Sequence, residues 1–390
     1  PPAGALRGFG VPQLVWAYES HTDMIARELA IDAVEFRRKN LLREGRPQAT
    51  GMLLRDAAID KVLERIATLL EWGKPFDRGH ASLRRGRGLA VALKACVAPT
   101  SSLASVSINA DGSATVYCRS ADIGQGADTV MAQIAGEVLN MAAESVRVVH
   151  SDTDVTPYDM STLGSRSTFH MGHAVKLAAE EAKRKIDALR DELKLPPDAT
   201  VAEIFRKKYG MQAGNVIGTG SYVPSYTPPD ANGLTDNATP FWMVGGTGAE
   251  VEVDTQTGRV RVTQLINVGD VGTPINPKIV ETQLSGAAIM QLGFTLFEKM
   301  EFDTEGQLRN ASFAEYKIPG FLDVPERIIS EVVDAEQHNG PFGAKGVGET
   351  GTYAVSPAIA NAVYDAVGVR LTSLPLNAEA VYRALMEKQR

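Results

Sequence analysis

Apolar and polar residues alternate with two different periods along this chain. A period near 3.6, typical of amphipathic helices, predicts a helical region over 11–45 and a helix over 56–72. Gly45 is predicted to end the first region, and Asp56 is predicted to cap the start of the second helix. A period of two predicts strands over 104–120, joined by a hairpin turn at the sequence Asn-Ala-Asp-Gly-Ser.

Much of the remaining chain repeats one arrangement, a glycine-containing loop that leads into a helix. The predicted loop-and-helix segments span 122–140, 164–193 and 344–368. A further helix is predicted over 278–298, and a strand hairpin turns at Thr257 and Gly258 within 248–272. Residues 194–240 are rich in proline and glycine, which predicts a boundary or a long excursion. This mixture predicts an α+β fold.

The pattern divides the chain into three predicted parts. Residues 1–75 form a helical segment, 76–235 form a first α+β lobe, and 236–390 form a second α+β lobe.

Composition narrows the function classes. With 44% hydrophobic and 22% charged residues among 390, the chain is typical of a soluble globular protein. No apolar run reaches the length of a membrane segment, and a net charge of -7 argues against a nucleic-acid partner. Two cysteines, Cys96 and Cys118, cannot supply an iron-sulfur cluster or a disulfide framework, which favours a cytoplasmic location.

Histidines do not form a predicted metal site. His170 and His173 have helical spacing but lack a third credible ligand, so we interpret them as surface or packing residues.

Three glycine loops are candidates for binding an anion, because amide groups at a helix start favour negative charge. They contain Gly124-Gln125-Gly126, the run Gly164-Ser165-Arg166-Ser167-Thr168, and Gly346-Val347-Gly348-Glu349. None fits the P-loop or the dinucleotide fingerprint. Together they predict one large anionic ligand that is contacted from several directions.

Three side chains near these loops each allow two interpretations. Glu349 is either a general base, if it is buried, or a carboxylate that complements a helix start. Arg7 either binds an anion or caps a neighbouring helix. Phe9, between two glycines, either presents its ring to a planar ligand or packs in a core.

Five ordered segments identify a family resemblance. The segments are RGFGVPQ, DIGQGADT, LGSRSTFHMGHAV, ETQLSGAAIMQLG, and YKIP followed by KGVGETGT. In this order they resemble the molybdopterin-binding subunit of the xanthine dehydrogenase and aldehyde oxidase family, over essentially the whole chain. The resemblance implies the two-lobed molybdenum cofactor-binding fold of that family.

The resemblance also implies roles for individual residues. Glu349 would be the catalytic base, and Phe9 would stack on a planar substrate. Gly164 and Ser165 would lie over the molybdenum, which the pterin and not a protein side chain would hold. The residues that would bind the cofactor are Arg7, Gly8, Gly124, Gln125, Gly126, Gly164, Ser165, Arg166, Ser167, Thr168 and Gln283.

The implied activity is a hydroxylation that takes its oxygen from water. The implied cofactor is molybdenum-molybdopterin, with the cytosine dinucleotide form as one option. Electrons would pass to a [2Fe-2S] subunit and an FAD subunit, since this chain has no motif for either group. We expect the chain to be the C-terminal half of a split subunit, as in nicotinate dehydrogenases, or a fragment, with an N-terminal-half subunit as partner.

Two departures from the family pattern affect the substrate and the base. Residues 348–351 read Gly-Glu-Thr-Gly where the family has Gly-Glu-Pro-Pro, so we expect a looser loop beside Glu349. Residues 96–102 have no aromatic side chain, which argues against a purine. An N-heteroaromatic substrate is favoured by Phe9; the alternatives are an aldehyde, or a non-catalytic scaffold subunit.

Overall fold

The computed structural model describes residues 4–98, 100–149, 151–211 and 213–388. Helices and strands are mixed along the chain. The helices are α1 (Val11–Glu28), α2 (Ala33–Asn40), α3 (Ile59–Leu69), α4 (Ala127–Leu139), α5 (Gly172–Glu192), α6 (Val201–Tyr209), α7 (Pro277–Leu296), α8 (Val355–Val367) and α9 (Ala378–Lys388). The strands are β1 (Gly79–His80), β2 (Leu83–Ala95), β3 (Ser102–Asn109), β4 (Ala114–Cys118), β5 (Val146–Val149), β6 (Asn215–Tyr222), β7 (Trp242–Asp254), β8 (Val260–Asp270) and β9 (Arg327–Val332).

The large sheet has the strand order β1-β2-β7-β8-β9. Strand β2 pairs with β7 in antiparallel register from Leu83 opposite Asp254 to Ala95 opposite Trp242, and β9 joins β8 in parallel. Alternate residues of β2 enter different cores: Ala90 lies in the core that contains α8, and Val91 lies in the core that contains α3. Helices therefore cover both faces, which explains the nearly continuous apolar run of β2.

The small sheet has the order β5-β4-β3-β6. Helices α4 and α5 share one core with it, built around residues such as Val106, Ile134 and Ala178. The hairpin predicted between β3 and β4 is confirmed, and Gly112 supplies the positive φ of its turn, 87°.

Several predicted element limits are wrong. The region 11–45 is two helices, α1 and α2, and Gly45 lies in a turn beyond them. Helix α3 begins after Ala58, and Asp56 bonds to His338 instead of capping the helix. These residues are used by contacts distant in sequence, which local capping patterns do not reveal.

The predicted excursion at 194–240 contains regular structure, helix α6 and strand β6. The predicted limits at 75/76 and 235/236 also do not separate the two sheets, since β1 and β2 belong to the large sheet with β7. The reason is the long antiparallel pairing of β2 with β7, whose partner lies about half the chain away. No helix in the described part of the chain is long and apolar enough to cross a membrane.

Candidate active site

A narrow cleft lies where the N-terminal ends of helices that pack on the two sheets come together. Its walls come from the start of α4, the loop before α5, the start of α7, and the loop ahead of α8. The cleft has a volume of about 90 Å³. Helix starts carry partial positive charge and favour anions. Of the predicted site residues, the cleft is lined by Gln125, Ser165, Ser167, Thr168, Gln283, Gly346 and Gly348. The structure thus brings all three predicted glycine loops to one place.

The third loop leaves three backbone amides unpaired. The N–H groups of Gly346, Val347 and Gly348 have no acceptor in the described part of the chain, although Gly346 and Val347 are buried. Buried amides are nearly always paired in proteins, so these three donors, on the wall of the cleft, suit an acceptor from a ligand. The loop passes very close to Ser165, so that a Cβ at Gly346 would overlap the Ser165 carbonyl oxygen.

Glu349 follows this wall directly and is 8% exposed. Its Oε1 accepts a hydrogen bond from the Gly8 amide at 3.0 Å. Its Oε2 accepts from Lys94 Nζ at 2.8 Å and from Ser165 Oγ at 3.2 Å. The Glu349 amide in turn donates to Ser165 Oγ at 3.0 Å. The carboxylate is therefore buried and held by three donors, and its side chain does not act as a cap of α8.

Arg7 joins the first segment of the chain to this wall. Its Nε donates to the Gly348 carbonyl, and its Nη2 donates to the carbonyl and Oε1 of Gln283 at 3.1 and 2.8 Å. Burial lowers the pKa of Arg7, and the nearby Glu349 charge opposes this effect. Gly8 is required here, since a Cβ would meet Thr352 Oγ1 at 2.8 Å.

The first glycine loop pairs several of its donors internally. The amides of Gly124 and Gly126 donate to Asp122 Oδ1 at 2.9 and 3.3 Å. Gln125 bonds within the loop, to the Ile123 amide and the Ala121 carbonyl. The amides of Gly124 and Gly126 are therefore paired with Asp122 in this structure, and the predicted contact of this loop with a cofactor stays a prediction. Gly126 has a packing role, because a Cβ would meet Ile279 at 2.8 Å.

Arg166, which was predicted to contact the cofactor, is not among the residues that line the cleft. Its side chain is 0% exposed and ion-paired with Asp159 at 2.7 Å. Its Nη2 donates to Ser102 Oγ at 2.7 Å. Through these bonds the buried guanidinium of Arg166 stabilises the loop that carries Gly164 and Ser165.

Phe9 is 71% exposed, which excludes core packing in the described structure. It lines a separate open pocket together with Arg7, Trp16 and Phe294. Its ring face is available to a planar molecule.

His170 and His173 pack against neighbouring groups of the protein. His170 is fully buried, and burial next to Arg166 lowers its pKa to about 4. His173 stacks on Tyr222 and bonds to the Asn339 carbonyl at 2.7 Å. No group of three metal-ligating side chains occurs among the described residues.

Sequence reasoning missed Lys94, Asp122 and Asp159. Lys94 could have been noticed, because a lysine inside the apolar run Leu-Ala-Val-Ala-Leu-Lys-Ala-Cys-Val needs a buried partner. The two aspartates had no such signal. The Gly-Glu-Thr-Gly segment is also tighter than expected: Thr350, Gly351 and Thr352 form a buried turn, and Thr352 Oγ1 donates to the Glu349 carbonyl at 2.8 Å.

Fold and site together define an α+β protein with an anion-favouring cleft beside a buried carboxylate. Two profiles of the Molybdopterin cofactor-binding domain match the sequence, over residues 61–325 and 1–41. The chain belongs to the molybdopterin cofactor-binding domain family. The predicted resemblance to xanthine dehydrogenases and aldehyde oxidases, and the predicted fold class, are confirmed.

Individual relatives agree with this assignment. The xanthine dehydrogenase molybdenum-binding subunit of Escherichia coli O157:H7 is 32% identical, over 98% of this chain and 53% of that protein. Quinoline 2-oxidoreductase from Pseudomonas putida 86 superposes with a TM-score of 0.87 at 26% identity, covering 99% of this chain and 53% of that one. The aldehyde oxidoreductase from Desulfovibrio desulfuricans ATCC 27774 superposes with a TM-score of 0.84 at 29% identity, covering 97% of this chain and 41% of that one. The chain spans about half the length of the curated relatives it matches.

Proposed function

We propose that this chain is part of a molybdenum hydroxylase. The reaction adds a hydroxyl group from water to an electrophilic carbon of a small planar substrate, and removes two electrons and two protons. The observation that carries the proposal is Glu349, a buried carboxylate that directly follows the wall residues 346–348 of an anion-favouring cleft. Such a carboxylate suits a general base.

The residues present fit a bound molybdopterin in part. The unpaired amides of 346–348 and the hydroxyl groups of Ser167 and Thr168 supply donors for an anionic group. Gln283 lines the same wall through α7. A cleft of about 90 Å³ holds only part of such a cofactor. When bound, the molybdenum centre supplies Lewis acidity and accepts the electrons.

In this proposal Glu349 is the base, and the other predicted residues position the base or the substrate. Glu349 takes the proton from the water that becomes the nucleophile, and burial keeps competing water away from the carboxylate. Arg7 holds the 348–349 wall against α7 through Gln283. Gly8 fixes one oxygen of Glu349 from the same segment, and the exposed ring of Phe9 stacks on the substrate.

We propose an N-heteroaromatic substrate. An exposed aromatic face at Phe9 supports a flat ring, and the absence of an aromatic in residues 96–102 disfavours a purine. An aldehyde is the second candidate, since an aldehyde oxidoreductase is among the similar structures. Turnover of a panel of pyridine carboxylates, quinolines and aldehydes distinguishes the two classes.

We propose that partner subunits, and not this chain, carry the groups that take up the electrons. Cys96 and Cys118 are buried, and burial raises the pKa of each thiol to about 12, so neither suits a cluster. A [2Fe-2S] subunit, an FAD subunit and a molybdopterin subunit corresponding to an N-terminal half are therefore proposed partners. The cytosine dinucleotide form of the cofactor predicts release of cytidine monophosphate on acid hydrolysis, which mass spectrometry would detect.

Glu349→Gln in the native assembly tests the catalytic role. The amide keeps the size of the side chain but is not a base, so turnover is expected to fall roughly 10²–10⁴-fold while bound molybdenum stays unchanged. Glu331→Gln is the matched control, since Glu331 pairs with Arg65 away from the cleft, and its turnover should equal wild type. Full turnover of Glu349→Gln with bound molybdenum would instead support the scaffold alternative.

A further inference from the structure

Lys94 lies at the end of β2, next to the candidate base. It is 7% exposed, and its Nζ is 2.8 Å from Glu349 Oε2. Strand β2 is otherwise apolar from Leu89 to Ala95, and its pairing with β7 places Lys94 opposite Met243. A buried ammonium at such a place is unfavourable unless it is paired, so Lys94 and Glu349 depend on each other.

The bonding around Glu349 leaves room for one more proton donor. An ionised carboxylate offers about four acceptor positions. Three of them are used, by the amide of Gly8, the ammonium of Lys94 and the hydroxyl of Ser165. The remaining position is the one through which the carboxylate could accept a proton.

Within the described part of the chain, only Lys94 forms an ion pair with this carboxylate. Arg7 is near, but its hydrogen bonds go to neutral oxygens of Gly348 and Gln283. The other titratable neighbours are uncharged at neutral pH, because burial raises the pKa of Cys96 to about 12 and raises that of Tyr353 well above its usual range.

We infer that Lys94 is a positioning residue that supplies the paired positive charge of Glu349 and helps to fix the orientation of its carboxylate. This inference rests on the proposed function for its catalytic meaning. The bonds to Gly8 and Ser165 set the orientation of Glu349 together with Lys94.

The test compares Lys94→Met, Lys94→Gln and Lys94→Arg. In the native assembly, Met and Gln should move the acid limb of the pH profile of kcat/KM roughly 1–3 pH units higher, whereas Arg should restore the wild-type limb. A second readout needs no turnover. The infrared carboxylate band of Glu349, isolated as the difference from Glu349→Gln, should titrate at correspondingly higher pH in Met and Gln.

Arg37→Met is the matched control. Arg37 pairs with Glu19 at 2.8 Å and is also buried, but it lies away from the cleft. It should lower stability without moving the acid limb or the infrared band.

The outcomes separate the two ideas. An unchanged acid limb and an unchanged Glu349 band in a folded Lys94→Gln or Lys94→Met protein would overturn the inference. A shifted Glu349 band in Lys94→Met or Lys94→Gln, together with full turnover of Glu349→Gln, would support the ion-pair effect and reject the proposed catalytic role. If neither neutral variant folds, an acid limb or Glu349 band that moves in Lys94→Arg overturns the inference, and a wild-type limb and band support it.

Discussion

At the scale of single residues, neighbours in one motif have opposite placements. Ser165 lies on the cleft wall and bonds to Glu349, whereas Arg166, the next residue, points into the protein. The positive φ of Ser165, 59°, turns the backbone between them. A motif therefore marks a site but does not say which of its side chains face the ligand.

Arg166→Met is expected to destabilise the protein by about 3–5 kcal/mol, because Asp159 would remain buried without its counterion. Denaturant unfolding would measure the change. Lys176→Met is the control: its pair with Glu180 is partly exposed, and breaking it should cost less than about 1 kcal/mol. Normal stability with weakened cofactor binding would contradict the structural role of Arg166.

His170 predicts a pH dependence of stability. Its pKa is lowered from 6.5 to about 4, chiefly by burial, so the folded state disfavours the charged ring. Between pH 6.5 and 4 the unfolded chain binds more protons than the folded one, and stability falls by about 3 kcal/mol as the pH drops.

His170→Leu should remove this contribution. The difference in unfolding free energy between variant and wild type, measured from pH 7.5 to 4, should therefore shift in favour of the variant as the pH falls. A difference that stays constant over this range would show that His170 does not titrate as expected.

At the scale of elements, glycines on one strand of each sheet allow a helix to pack close against that sheet. A Cβ at Gly88 of β2 would overlap the Ala358 carbonyl of α8, and a Cβ at Gly220 of β6 would overlap the Ala174 carbonyl of α5. The helices carry alanines at these contacts. Close approach of α5 to the small sheet also sets the position of its first turn, and with it the loop at Ser165.

Gly220→Ala is expected to destabilise the protein by about 1–3 kcal/mol or more, since the added methyl meets backbone atoms that cannot rotate away. Gly286→Ala is the control inside α7. Nothing lies within 4 Å of its Cβ position, and alanine favours a helix by about 1 kcal/mol, so that variant should be as stable as wild type or more so. Equal thermal stability of the two variants would contradict the close approach.

At the scale of the whole molecule, the cleft exists because two separately built sheets meet. Phe169, before α5, stacks on Phe241, before β7, with ring centroids 4.5 Å apart. The Cys96 thiol donates to the Gly164 carbonyl at 3.3 Å. The contact of Gly346 with Ser165 closes the same boundary at the site, so the geometry of the cleft depends on how the parts are joined.

Gly346→Ala should therefore open the cleft while leaving both cores folded. The added methyl group cannot fit beside the Ser165 carbonyl oxygen, so the two loops must separate. Hydrogen exchange should become faster at residues 162–168 and 345–349 together, with the strands of both sheets remaining protected. Faster exchange at only one loop would show that the two do not support each other.

The sequence by itself determined the class, the family and the segments that form the site. Apolar periods predicted β3, β4, α4, α5, α7 and α8 because burial imposes those periods locally. The glycine loops were visible because positive φ and close backbone approach select that residue.

Only the tertiary structure decided which groups meet. The pairing of β2 with β7 crosses the predicted lobe limit, and it brings Lys94 to Glu349, 255 positions apart. The burial of Arg166 by Asp159, and the exposure of Phe9, likewise depend on how distant segments pack. Periodicity and local propensity report neighbours a few residues away, whereas an ion pair or a free ring face is set by contacts between elements.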